Sequence, residues 1–204
     1  MINWIIDVIG DIGLAGVAFL VALESIVPPI PSEVVLLLTG SNVESGRFSL
    51  IPAILLSTVG SVVGALVLYG LGFWLSADRM ERLIARLGRF VGLRQKDVDR
   101  GFQWFERHGS LVVFFGRLIP LVRSVVSIPA GAERMNLIRF VSLTALGSAI
   151  WNTVWIVAGN ALGAGWERAQ KWADLIQYVA IGLLAVGLAV IVVRARRRSA
   201  THGA

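Results

Sequence analysis

The chain has 204 residues, 56% of them hydrophobic and only 16% charged, with a mean hydropathy of +0.75. Soluble domains run nearer roughly 45–50% apolar and about 25% charged, so the composition excludes a water-soluble globule and points to an integral membrane protein. The formal net charge of +6 is gathered between Asp78 and Arg107 and in Arg194–Arg198, where it sets membrane orientation and forms no nucleic-acid-binding face.

The N-terminal residues lack the basic region of a signal peptide. Ile12–Leu23 is apolar but too short to span, and runs into Glu24, Pro28, Pro29 and Pro31. Proline removes a backbone donor and breaks a helix, and the residue before it avoids helical geometry. Ser32 then fits an N-cap, and Glu33 suits the positive end of a new helix through Val34–Leu38. Residues 12–43 are therefore predicted to form a re-entrant hairpin with the prolines at its tip, closed by the polar loop Asn42–Ser49. Ile51–Leu75, whose one ionisable side chain is Tyr69, is a full span.

Residues 78–107 are polar, with Met80, Leu83, Ile84, Leu87 and Val91 at helical spacing, and read as an amphipathic surface segment. Residues 109–135 repeat the opening problem: Pro120 and Pro129 interrupt an apolar stretch that also holds Arg117 and Arg123, predicting a second re-entrant hairpin. Residues 140–163 and 175–193 are further spans, and 194–204 is a basic tail. A shift of 87 residues aligns Gly60–Ser61 with Gly147–Ser148 and Gly72 with Gly159, the mark of an internal repeat. The basic residues of 78–107 and of the tail belong in the cytoplasm. With each hairpin returning to its own side, the expected fold is all-α and polytopic: two facing re-entrant hairpins in an inverted repeat, plus about three full transmembrane helices. The first residues lack Lys and Arg and fit an outside N-terminus, a placement that a full crossing by Trp4–Val27 would reverse.

A charge near the bilayer centre costs at least about 2.5–3.5 kcal/mol. Glu24, Glu33, Arg117 and Arg123 thus need a reason. One reading is structural, with two buried ion pairs locking the hairpins, or Glu33 acting only as a cap. The other is a polar cavity in which arginines hold an anion and carboxylates take protons. Tyr69 and Asn152 are candidates to line it, though both also suit packing. The small residues of GSVVG (60–64) serve close helix approach, and Trp151 and Trp155 read as packing or interface anchors. No catalytic residue, metal site or cofactor is expected. No serine has a nearby base, there is no cysteine, and His108 and His202 are the only histidines.

Three motifs in order, ESIVPPIPSE (24–33), GSVVGALVLYGLG (60–72) and FFGRLIPLVRSVVSIPAG (114–131), resemble the DedA family over about residues 10–165. These are bacterial inner-membrane proteins distantly similar to eukaryotic lipid scramblases with the VTT domain. The resemblance implies facing re-entrant hairpins and lipid transport. Undecaprenyl phosphate recycling is its best example; other members are linked to phosphatidylethanolamine movement or depend on the proton-motive force. It places Glu24, Glu33, Arg117 and Arg123 at the family's essential acidic and basic positions. The expected partners are a polyprenyl phosphate or phospholipid and protons. A proton-coupled small-solute transporter and a membrane scaffold are the alternatives.

Overall fold

Two helices of equal length organise the chain. In the computed structural model, which describes residues 2–26, 32–75, 95–120 and 122–163, every described element is an α-helix. They are α1 (Ile2–Ile12), α2 (Leu14–Ile26), α3 (Ser32–Glu44), α4 (Leu50–Leu75), α5 (Gln95–Gly116), α6 (Val122–Val125), α7 (Ser127–Ala132) and α8 (Leu137–Leu162). The proline segment 27–31, the amphipathic stretch up to residue 94, the expected span 175–193 and the basic tail lie outside the described residues.

Helices α4 and α8 have 26 residues each, about 39 Å at 1.5 Å per residue, enough to cross a hydrocarbon core of about 30 Å. Their packing runs opposite to that of a soluble core. On α4 the large residues Ile51, Leu55, Val59, Val63, Val67 and Leu71 form an exposed stripe, while Ala53, Ser57, Gly60, Ser61, Gly64 and Ala65 face inward. On α8 Leu146, Ile150, Val154 and Val157 point out and Thr144, Gly147, Ser148 and Asn152 point in. Water would penalise such stripes, whereas acyl chains accept them and small inward residues allow close approach. The second span begins at Leu137, earlier than the expected residue 140. The Asn136 side chain accepts from the Arg139 backbone N–H at 3.1 Å and starts the helix ahead of that arginine.

The repeat is visible in three dimensions. Both ends of α4 and α8 are separated by the same 87 residues. The two spans pack on each other, with α2 along α4 and α5 against α8. The remaining contacts are exchanged: α3 of the first half packs on α8, and α7 of the second half packs on α4. Glycines make both crossings. A Cβ on Gly159 would collide with the Leu37 carbonyl, and one on Gly40 with that of Ile156. In the mirror crossing, Gly72 meets the Ile128 carbonyl and Gly131 that of Tyr69. Residues 69 and 72 are the 87-residue counterparts of 156 and 159, so the same contact is made twice. Within GSVVG, Gly60 and Gly64 bring α4 against Ala18, Ala22 and Ser25 of α2.

The N-terminus departs from the simple pattern. Residues 4–26 do not form one continuous helix, because Gly13 adopts φ +64° and separates α1 from α2. Helix α1 is amphipathic, burying Ile5 and Ile9 beside Val17, Leu20 and Leu36 while Asp7 and Asp11 stay exposed. Helix α5 is continuous through His108, where the sequence suggests a change from surface segment to hairpin.

Candidate functional site

The two halves of the chain meet at Arg123, which lies buried on the four-residue helix α6. Its guanidinium donates to Glu24 Oε1, at the end of α2, and to the Ser32 hydroxyl, at the start of α3. One cation thus holds both arms flanking the proline segment. Ser32, expected as a helix cap, turns its hydroxyl to this arginine. The guanidinium carbon also sits 5.7 Å from the Trp151 ring centroid on α8, an aromatic face that favours a cation. Glu24 is 5% exposed, and its second oxygen, Oε2, is buried without a hydrogen-bond partner among the described residues.

Arg117 follows Gly116 at the end of α5 and is 3% exposed. Among the described residues its guanidinium meets hydroxyls and no carboxylate: Ser127 Oγ at 2.8 Å and Thr144 Oγ1 at 3.3 Å. Its carbon lies 5.8 Å from the Phe140 ring centroid, and Nε is buried with no acceptor. The symmetrical expectation of two locking ion pairs is therefore met on one side only. Glu33 lies half-buried in the first turn of α3.

Tyr69 and Asn152 hold the surrounding frame. The Tyr69 hydroxyl donates to the Met135 carbonyl at 2.5 Å, and its ring packs on Phe140 at 4.7 Å between centroids. Asn152 is fully buried; its amide points at Ser61 Oγ (3.3 Å) and Thr58 Oγ1 (3.4 Å) of α4, and its Oδ1 is unpartnered. Pro120 lies in the turn that follows Arg117. Pro129 does not: it sits in the first turn of α7, where a missing N–H costs little. Pro28, Pro29 and Pro31 are outside the described residues. The partners that the charges did not reveal are small hydroxyls, Ser32, Ser127 and Thr144. A trace exists in the 87-residue register, which sets Ser57 against Thr144 and Ser61 against Ser148.

The site is a buried, half-satisfied polar cluster. Unpartnered donors and acceptors in an apolar interior cost about 1–3 kcal/mol each, so Arg117 Nε, Glu24 Oε2 and Asn152 Oδ1 are groups that a polar occupant would stabilise.

Comparison with known proteins agrees with this architecture. A family model described as the VTT domain matches residues 30–161. An "Alkaline phosphatase-like protein" of Lactococcus lactis subsp. cremoris is 43% identical over 183 residues, covering 89% of this chain and 86% of the relative. "Undecaprenyl phosphate transporter A" of Staphylococcus aureus is 31% identical over 197 residues, 95% of this chain and 97% of the relative. "Protein DedA" of Escherichia coli is 22% identical over 183 residues, 88% and 80% of the two chains. No solved structure matches.

Proposed function

The chain belongs to the VTT-domain family, and on that premise we propose that it translocates a lipid with an anionic phosphate headgroup, polyprenyl phosphate foremost, across the bacterial inner membrane. The observation that carries this reading is the Arg123–Glu24–Ser32 contact beside an arginine that, among the described residues, donates to hydroxyls and to no carboxylate. A phosphate takes two parallel N–H bonds from a guanidinium, and it competes with a carboxylate for the same face. Protonating Glu24 removes that competition and frees Arg123 for the headgroup; deprotonation restores the pair and expels it. Arg117 exchanges neutral hydroxyl acceptors for an anionic one, and the tail stays in lipid. Glu33 is the second proton-accepting position, with Tyr69 and Asn152 holding the frame.

The arms α2 and α3, 13 residues each, reach only about 20 Å at 1.5 Å per residue, which supports a re-entrant tip within the membrane. The charge pattern supports a cytoplasmic C-terminus. In this chain without cysteine, Ser45→Cys should be labelled by an impermeant thiol reagent from outside, and Gln103→Cys only from the cytoplasm; the reverse would overturn the orientation. A hydrolase, as the name of the Lactococcus relative suggests, would need an activated hydroxyl. The Ser32 hydroxyl does lie beside the Glu24 carboxylate, but that carboxylate is committed to Arg123, which also donates to Ser32, and Ser127 likewise accepts from Arg117.

The test is flux in proteoliposomes with undecaprenyl phosphate, phosphatidylethanolamine and a neutral polyprenol. Arg123→Lys should fold and lose about tenfold to a hundredfold in phosphate-lipid affinity, the effect of one charge-assisted contact of about 1.5–3 kcal/mol. Glu24→Gln should retain binding but lose the pH dependence of flux. Parent-like transport of all three lipids by both variants would leave the charges as a structural lock, the scaffold reading that the closed Arg123–Glu24 pair favours.

A further inference from the structure

The repeat places a cavity before each span, and the two cavities differ in charge. The one before α4 has a volume of about 310 Å³; its charged lining is Glu44 and Arg47, and Ser41, Asn42 and Ser45 supply neutral polar groups. Arg47 is already occupied, donating to the Gly10 carbonyl at 2.7 Å. The one before α8 has a volume of about 430 Å³, within the range of ligand sites. It is lined by Arg107, His108 and Ser110 of α5, Glu133 after α7, and Arg139 in the first turn of α8. Among the described residues, two guanidiniums and one carboxylate line it. The first cavity balances to zero.

We propose that the cavity before α8 is a second anion site, separate from the buried arginines, that takes a phosphate monoester. Arg107 and Arg139 supply charge-assisted donors from two different helices, and Ser110 adds a neutral one. The His108 Nδ1 lies 3.2 Å from the Trp104 carbonyl. A carbonyl only accepts, so in the neutral ring that contact puts the proton on Nδ1. The start of α8 is already capped by Asn136, so the guanidiniums and not the helix end carry recognition. The rim is apolar, with Leu111 on the lining and Leu137 and Ile138 exposed in the same first turn of α8, Ile138 at 77%. Lipid phosphate and free phosphate present the same chemistry to this site. Its place on the side assigned to the cytoplasm makes it a capture point on that face, with charge unlike that of the cavity before α4 among the described residues.

His108 is its own reporter, because His202 is the only other histidine. The full chain carrying His202→Ala, with labelled histidine, is placed in nanodiscs of neutral phosphatidylcholine at fixed pH. Inorganic phosphate is titrated in one arm, and phosphatidic acid is incorporated in the other. The His108 ring resonances should shift and saturate. Saturation by inorganic phosphate assigns a free-anion site, and saturation by phosphatidic acid alone assigns a headgroup site. Arg107→Gln or Arg139→Gln should raise the midpoint about tenfold or more. A reporter placed in the other cavity, Ser45→His with His108→Ala, should not shift. Arg123→Lys should leave the His108 curve unchanged even where it abolishes flux, so failure here is distinguishable from failure of the transport reading. No shift in either arm, or parent-like midpoints in both glutamine variants, overturns the proposal.

Discussion

The two proline-broken regions occupy corresponding places around the spans, yet one is acidic and the other basic. The first brings Glu24, Glu33 and Ser32; the second brings Arg117, Arg123 and Ser127. The spans differ in the same way. The 87-residue register keeps a hydroxyl at Ser57 and Thr144 and at Ser61 and Ser148, but sets Ala65 against the buried Asn152. The repeated backbone fixes where helices cross, and departures from the repeat create the polar site. The first half does not neutralise the buried Glu24 itself; its counter-ion, Arg123, comes from the second.

The largest test of that division is to delete one side of it. Arg123→Ala leaves Glu24 buried without its cation and should destabilise the protein by about 3–5 kcal/mol, read from denaturant unfolding in mild detergent. Adding Glu24→Ala should recover most of the loss while transport stays abolished. If the double variant is as unstable as the sum of the singles, the halves are not coupled through this pair.

The crossings test the part that is shared. Gly72→Ala and Gly159→Ala each push a methyl into a facing carbonyl, and each should cost about 1–3 kcal/mol in the same assay. Similar losses support equivalent crossings; tolerance at one and collapse at the other would show that the exchange of α3 and α7 is not mechanically symmetric.

The smallest expected change is the most selective. Asn152→Ala gives α8 the residue that α4 carries at the matching position. It removes two long hydrogen bonds and one unpartnered Oδ1, opposing effects that should leave stability within about 1 kcal/mol. A drop in flux without a drop in stability would assign the amide to the transport path, and a large unfolding shift would make it a strut between the spans.

Much of this was legible in the residues. The spans were readable because a long uncharged run has few other uses, and the charged quartet because buried charge needs a cause. The pairing was not readable: Glu24 lies 99 positions from Arg123, and Thr144 lies 27 from Arg117. Small hydroxyls in apolar runs carry no sign of which guanidinium they will meet. Helix α1 was hidden because Asp7 and Asp11 break the hydropathy of an amphipathic face that only its packing on α2 explains. Pro129 looked like a tip because proline breaks helices, yet at a first turn it opens one.

The exchanged crossings also constrain how the protein is made. A ribosome that has released only the first half has produced Gly72 with no α7 to cover it, Leu37 and Gly40 with no α8, and Glu24 with no arginine. That half cannot finish folding and wait. Its packing is completed only once Arg123 and the second span emerge. Chains truncated after α4 would then enter the bilayer carrying an open glycine notch and a bare carboxylate.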